Sequence, residues 1–373
     1  MQPRHVYVHV PFCARRCAYC DFSIAVRKAV PVEEYVTALS AELSIRFGDD
    51  RPWTVDTLYF GGGTPSRLGA EGVERAVGVL RDYVELADDA EVTLEANPED
   101  VTADAVAAWR GVGVNRLSIG AQSFDDNVLE WMHRTHDAAA IGRAFDAARS
   151  RGIENISLDL IFALPESVER SWERDVTRAI ELQPSHVSLY GLTVEPHTPL
   201  GRWRSRGELD EAPDERYERE FLFANDAMTA SGLEHYEVSN FGQPGRRARH
   251  NSSYWTEVPY AGFGPSAHAF NGVARRWNKS AYVEWLRETA AGRDPIDQSE
   301  TLTDENKLAE HAYLGLRTVG GLVLTDREVE HTMAWIDAGW ARLDNNKTLR
   351  LTPLGWLRLD ALAADLTLLR SRY

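Results

Sequence analysis

Residues 5–22 read HVYVHVPFCARRCAYCDF: an apolar, β-branched run that passes directly into a loop holding Cys13, Cys17 and Cys20. The first six residues carry the pattern of a strand. The three thiols are the only cysteines in 373 residues, and chance would crowd them this closely on the order of one time in a thousand. An odd, tightly spaced set cannot be a disulfide framework and reads as a metal site in a reducing compartment. Thiolates favour soft metals and iron–sulfur clusters. The Cys-x3-Cys-x2-Cys loop supplies three of the four corners of a [4Fe–4S] cubane and leaves one iron open to a small molecule. A structural zinc site with His9 as fourth ligand is the alternative, although such sites draw ligand pairs from separated segments.

Outward from this loop the strand pattern recurs: DTLYFGGG from Asp56, EVTLEANP from Glu91, RLSIGAQSF from Arg116, NISLDLIFALP from Asn155 and HVSLYGL from His186. Helix-period stretches such as EEYVTALSAEL and DAVAAWRGVGV lie between them. Strands alternating with helices imply βαβ units and a parallel α/β sheet. The near-continuous apolar character of each strand predicts a sheet covered on both faces. Six units are too few for a standard eight-stranded barrel, so the expected fold is an open, partial (β/α)6 barrel over residues 1–212. The unusual residues fall at the strand ends, where parallel α/β folds build their sites: Cys13 after the first, Gly61–Gly63 after the second, Glu95 and Gln122 ending the third and fourth, Asp159 within the fifth. From Pro213 the pattern changes, and residues 213–300 read as an extension packed on the barrel. Residues 301–373 read as a smaller α+β, winged-helix-like domain, with a turn at Asn345 and Asn346 and a closing helix.

The net charge of −16 argues against broad nucleic-acid binding, which wants a basic face. Local basic stretches remain, at Arg246, Arg247 and Arg249 and at Arg275 and Arg276. No apolar run is long enough to span a membrane and no signal peptide is evident, so the expected location is the cytoplasm.

PFCARRCAYCDF resembles the signature of the radical S-adenosylmethionine superfamily. In that superfamily the open iron chelates the methionyl amine and carboxylate of S-adenosylmethionine, and one electron cleaves the sulfonium. GGGTPS, EANP, LSIGAQSF, DLIFALP and HNSSYW, in this order, are similar to the oxygen-independent coproporphyrinogen III oxidase group, from Tyr7 to about His268. The resemblance implies that Tyr7 lies near cluster and sulfonium and Tyr19 near the adenine. Gly62, Gly63 and Thr64 would meet the methionyl part, and Glu95 the ammonium or a ribose hydroxyl. Gln122, Arg134 and Asp159 match contacts to a second S-adenosylmethionine; an ordinary Arg134–Asp159 structural pair is the alternative.

One departure from the oxidases separates the branches. They carry a further cysteine two residues after the third, where this chain has Asp21 and then Phe22. Cys-x-x-Cys-Asp-Phe with HNSSYW resembles the heme chaperone branch, which delivers heme to respiratory hemoproteins, membrane-associated ones included. That resemblance implies heme as ligand with His250 as a contact, a hydrogen-bonded structural histidine being the alternative. Tyr254 and Trp255 have rings able to stack on the macrocycle, and Arg246, Arg247 and Arg249 have guanidinium groups able to pair with its propionates. It also implies loss of the oxidase activity. Two readings of other classes stay open at this stage: a coproporphyrinogen III dehydrogenase and a structural metal-binding module.

Overall fold

The apolar strands form the parallel centre of one large sheet. In the computed structural model, which describes residues 2–48 and 52–371, they are β1 (His5–Val10), β2 (Trp53–Gly62), β3 (Val84–Ala96), β4 (Arg116–Gln122), β5 (Asn155–Phe162) and β6 (His186–Gly191), each parallel to the next. Parallel neighbours cannot be joined by a tight turn. The crossovers run through α1 (Val32–Phe47), α2 (Gly69–Arg81), α3 (Ala103–Gly111), α4 (Asp126–Trp131) with α5 (Ala138–Ser150), and α6 (Trp172–Glu181). Side chains of Thr102, Asp125, Asp137 and Ser171 accept backbone N–H bonds at the starts of α3 to α6; such caps fix where a crossover helix begins.

The two faces of the strands differ. Val6, Val8, Phe60, Val92, Leu94, Leu117, Ile119, Leu158 and Val187 are buried in the apolar core. Their alternates point inward, and register aligns them in rows: Tyr7 with Tyr59 and Thr93, Glu95 with Ser118 and Ser157, Gly120 with Asp159 and Ser188. The expectation of strands apolar on both faces therefore holds only for the helix-covered one. The interior is polar because it surrounds a cavity rather than a second packing layer.

The sheet does not close. The chain goes on through α7 (Pro199–Ser205), α8 (Asp214–Ala230), β7 (Glu234–Glu237), β8 (Asn240–Gly242), α9 (Arg249–Tyr254), β9 (Tyr260–Phe263), β10 (His268–Phe270), β11 (Ala274–Asn278), α10 (Tyr282–Ala290) and β12 (Ile296–Thr301). The strand order is β12-β11-β10-β9-β1-β2-β3-β4-β5-β6-β8-β7. Residues 213–300 thus hydrogen-bond into both edges of the barrel sheet instead of only packing on it. Glu42 of α1 secures one edge from within. It is fully buried and accepts bonds from Arg46 (2.9 Å), Asn278 (2.6 Å), Trp285 Nε1 (2.8 Å) and the Gly264 N–H (2.8 Å).

The C-terminal segment is α+β. It holds α11 (Asp304–Arg317), β13 (Leu322–Val323), α12 (Asp326–Asp337), β14 (Ala341–Leu343) and β15 (Thr348–Leu351), with two further helices ending at Arg370. Its strands form an antiparallel sheet in the order β13-β15-β14. Leu316, Leu349 and Trp356 share one apolar core with Phe221 and Phe241, and Arg317 pairs with the buried Glu237 at 3.0 Å. Among the described residues no helix is long and apolar enough to cross a membrane.

Candidate functional site

The cysteine loop begins where β1 ends. Phe12–Cys13 pairs in parallel with Ala25–Val26, which closes the loop. It is pinned further by Ala25 N–H to the Pro11 carbonyl (2.7 Å), Arg27 N–H to Cys13 (3.0 Å) and Ala18 N–H to Met132 (3.0 Å). Cys13, Cys17 and Cys20 all face one cavity of about 450 Å3 at the carboxyl ends of the strands. Tyr19, Gly62, Gly63, Thr64, Glu95, Gln122, Arg134 and Asp159 border the same space. These residues come from six separate segments of chain, and the fold brings them to one place. Burial raises the Cys20 thiol to about 11 and shifts Cys13 upward too, so cluster loading, which takes thiolates, must release protons here.

Beside the thiols, β2 ends in glycine. Gly62 has φ +111°, a region closed to most side chains, and a Cβ there would collide with the His9 ring at 2.5 Å. The resulting turn sends the Gly62 N–H to Glu95 Oε2 at 3.0 Å, while Glu95 Oε1 accepts the Tyr59 hydroxyl at 2.7 Å. Burial pushes the Glu95 carboxyl up to about 7 and Asp159 to about 6. Arg116, buried on the interior face of β4, acts oppositely on both through its charge. The Arg116 Nε has no hydrogen-bond partner. Burial and the Arg116 charge thus act in opposite directions on the two carboxyl groups that border this space.

Arg134 is committed elsewhere than to Asp159. Its guanidinium donates to Asn97 Oδ1 (2.7 Å), the Gly120 carbonyl (2.8 Å) and Cys17 Sγ (3.5 Å). It therefore ties the cysteine loop to the ends of β3 and β4. Asp159 instead accepts from Ser118 at 3.3 Å. Gln122 has φ +69°, a strained conformation for a non-glycine residue that turns the end of β4 into the cavity. Sequence reasoning overlooked Arg116, Asn97 and Ser118; the period-two inward face of the strands was the available signal.

His250 and Tyr7 lie outside this cavity. His250 is 1 % exposed. Its Nδ1 bonds Thr57 Oγ1 at 2.7 Å and its Nε2 bonds the Tyr254 hydroxyl at 2.8 Å. It stacks on Tyr59 with ring centroids 4.9 Å apart, and burial lowers its pKa to about 3. Both ring nitrogens are occupied, so the heme contact expected of His250 is one hydrogen bond removed from any open space. Tyr254 and Tyr7 do reach an adjoining passage. In the Arg246–Arg249 stretch, Arg247 pairs with Glu234 and Arg249 with Asp89. His9 bonds Tyr7 and the Ser23 carbonyl through its two nitrogens (3.1 and 3.0 Å), which leaves it no lone pair for zinc. Among the described residues no three such side chains converge on a single ion.

The chain is similar to known proteins in sequence and in fold. The family model described as the Radical SAM superfamily matches residues 7–179, the stretch from β1 into α6 that carries the cysteine loop and the cavity floor. Curated relatives named heme chaperone HemW align over most of the chain. One from Mycobacterium tuberculosis is 37% identical, covering 87% of this chain and 84% of the relative. Another, from Synechocystis, is 36% identical over 86% and 80%, and one from Bacillus subtilis is 34% identical over 86% and 84%. The chain belongs to the HemW family, within the radical SAM superfamily. A solved structure, the Escherichia coli coproporphyrinogen III oxidase HemN, superposes with a TM-score of 0.82 over 97% of this chain and 89% of that one. At 22% identity that likeness speaks for the fold.

Membership in the radical SAM superfamily implies a [4Fe–4S] cluster and S-adenosylmethionine, and the residues present fit both. Three thiols from one pinned loop would hold the cluster, which would supply one-electron chemistry beside the cofactor. Gly62, Gly63 and Thr64 would offer close backbone approach and a hydroxyl to the cofactor, and Glu95 would offer a carboxylate to its ammonium.

Proposed function

We propose that this protein binds heme and passes it to a recipient hemoprotein, with the cluster and S-adenosylmethionine as resident cofactors of the first cavity. The observation that carries this reading is the set of heme chaperones, 34–37% identical, that align along most of the chain. Phe22 supports it. The ring is 62% exposed and borders both the first cavity and the passage beside it, at the position where the oxidases bear an additional cysteine. The proposed recipient is a respiratory hemoprotein reached from the cytoplasm. Gln122 and Asp159 are proposed contacts for a second S-adenosylmethionine, with Arg134 acting as the clamp on the cysteine loop. Tyr254 is the proposed heme contact of the HNSSYW motif, and His250 holds its hydroxyl from behind.

Anaerobically purified protein titrated side by side with heme and with coproporphyrinogen III tests the proposal. About one heme per chain should bind, with no protoporphyrinogen IX formed in the presence of a competent reductant. Turnover of coproporphyrinogen III above background would overturn the reading in favour of the oxidase.

A further inference from the structure

A second cavity, of about 730 Å3, lies between the antiparallel edge strands β9 to β12 and the helices α9 and α11. Cross-strand register builds one of its walls. His268 stands opposite Trp277, and Phe270 opposite Arg275 on one side and Tyr260 on the other. Tyr254 and Trp255 face this wall from the end of α9. The result is a slot lined by flat aromatic rings, which a planar conjugated ligand can stack against at centroid separations of about 4.5–7 Å. Its size falls within the range of about 300–1,000 Å3 usual for small-molecule sites.

The imidazole of His268 is the open functional group of this slot. It stacks on Trp277, with ring centroids 5.5 Å apart and planes at 19°, and the residue is exposed. Neither of its ring nitrogens has a hydrogen-bond partner among the described residues, in contrast to His9 and His250, whose nitrogens are all engaged. Burial lowers the His268 pKa, so the ring is neutral near pH 7 and has a lone pair to give. His268, Tyr254 and Tyr260 also border the passage of about 380 Å3 that leads to Gly62 and Glu95 of the first cavity. At the rim, the one ion pair of Lys307 among the described residues is the 3.4 Å contact with Asp304, which leaves its ammonium available to a carboxylate. Arg275 is held by Glu310 through two bonds of 2.5 and 2.8 Å.

We infer that this second cavity is the heme site and that His268, not His250, supplies the axial ligand to the iron. Neutral imidazole is a common axial ligand of heme iron, the stacked rings receive the macrocycle, and Lys307 meets a propionate at the mouth. The inference rests on the heme-binding reading above and names where on this chain the heme sits.

Ferric heme is titrated into the cluster-loaded full chain and into His268→Ala, His250→Ala and Leu314→Trp, following the Soret band and the low-temperature EPR spectrum. Wild-type protein should show an imidazole-ligated spectrum. His268→Ala should lose that signature and bind at least tenfold more weakly, and added free imidazole should restore the spectrum. His250→Ala should keep it. Leu314→Trp, which adds bulk to the slot from α11, should weaken binding to a similar degree; it decides the matter if His268→Ala does not fold. An unaltered spectrum in His268→Ala, loss of the signature in His250→Ala alone, or undiminished binding in Leu314→Trp overturns the location while the heme-binding function stands. Failure of the wild-type chain to bind heme overturns that function itself.

Discussion

Glu95 and Gly62 are joined across neighbouring strands, the carboxylate of one accepting the backbone N–H of the other at 3.0 Å. The bond holds the glycine turn against the cavity and fixes a buried acid beside it. Burial raises the Glu95 pKa from 4.5 to about 7. Because its folded pKa lies above its unfolded one, the folded chain holds the proton more tightly between these values. Glu95 therefore costs stability progressively as pH rises from 4.5 to about 7, by on the order of 3 kcal/mol once both states are ionised. Urea unfolding of the metal-free chain at several pH values should show this slope, and Glu95→Gln should flatten it. In the same variant, S-adenosylmethionine should perturb the cluster's EPR spectrum less, because an ammonium loses a charge-assisted partner at about 1.5–3 kcal/mol. A slope unchanged by the substitution would contradict the burial of this acid.

Anaerobic reconstitution should load about four irons and four sulfides per chain, the content of one cubane. Cys17→Ala should abolish the broad visible absorption and most of the iron. Stoichiometric zinc without an iron chromophore is the result that would sink the cluster assignment.

Arg134 joins the Cys17 thiol, the Asn97 side chain and the Gly120 carbonyl. Arg134→Ala leaves buried acceptors without donors and should cost about 2–4 kcal/mol of stability, with slower cluster loading. Arg134→Lys keeps the charge but not the planar fork, so it should recover only part of the loss. Denaturation midpoints indistinguishable from wild type for the alanine variant would show that the clamp is dispensable.

Glu42 collects donors from α1, α10, β11 and the Gly264 backbone in a fully buried position. Its removal strands the largely buried Arg46 charge and three further donors. Glu42→Ala should therefore destabilise by about 3–5 kcal/mol, which circular dichroism against urea would measure. Soluble, fully cooperative protein within about 1 kcal/mol of wild type would be incompatible with this network.

Much of the barrel could be read from the chain alone. Each of the six apolar runs became a strand of the parallel sheet, because β-branched runs between helix-period segments have few other ways to satisfy their backbone and bury their side chains. The cluster loop was equally plain, since the three thiols lie within eight consecutive residues and their ligand geometry is local. The strand ends carrying Gly62, Glu95, Gln122 and Asp159 do meet at one cavity.

Tertiary structure alone decided the rest. The sequence cannot say that residues 213–300 complete both sheet edges, since pairing of β9 with β1 joins residues some 255 positions apart. It cannot say that Arg134 binds Cys17 rather than Asp159, nor that both nitrogens of His250 are taken by Thr57 and Tyr254. A motif records which side chains are present. Whether a histidine meets an open cavity or a hydroxyl depends on what long-range packing places against it, and that separated His268 from His250.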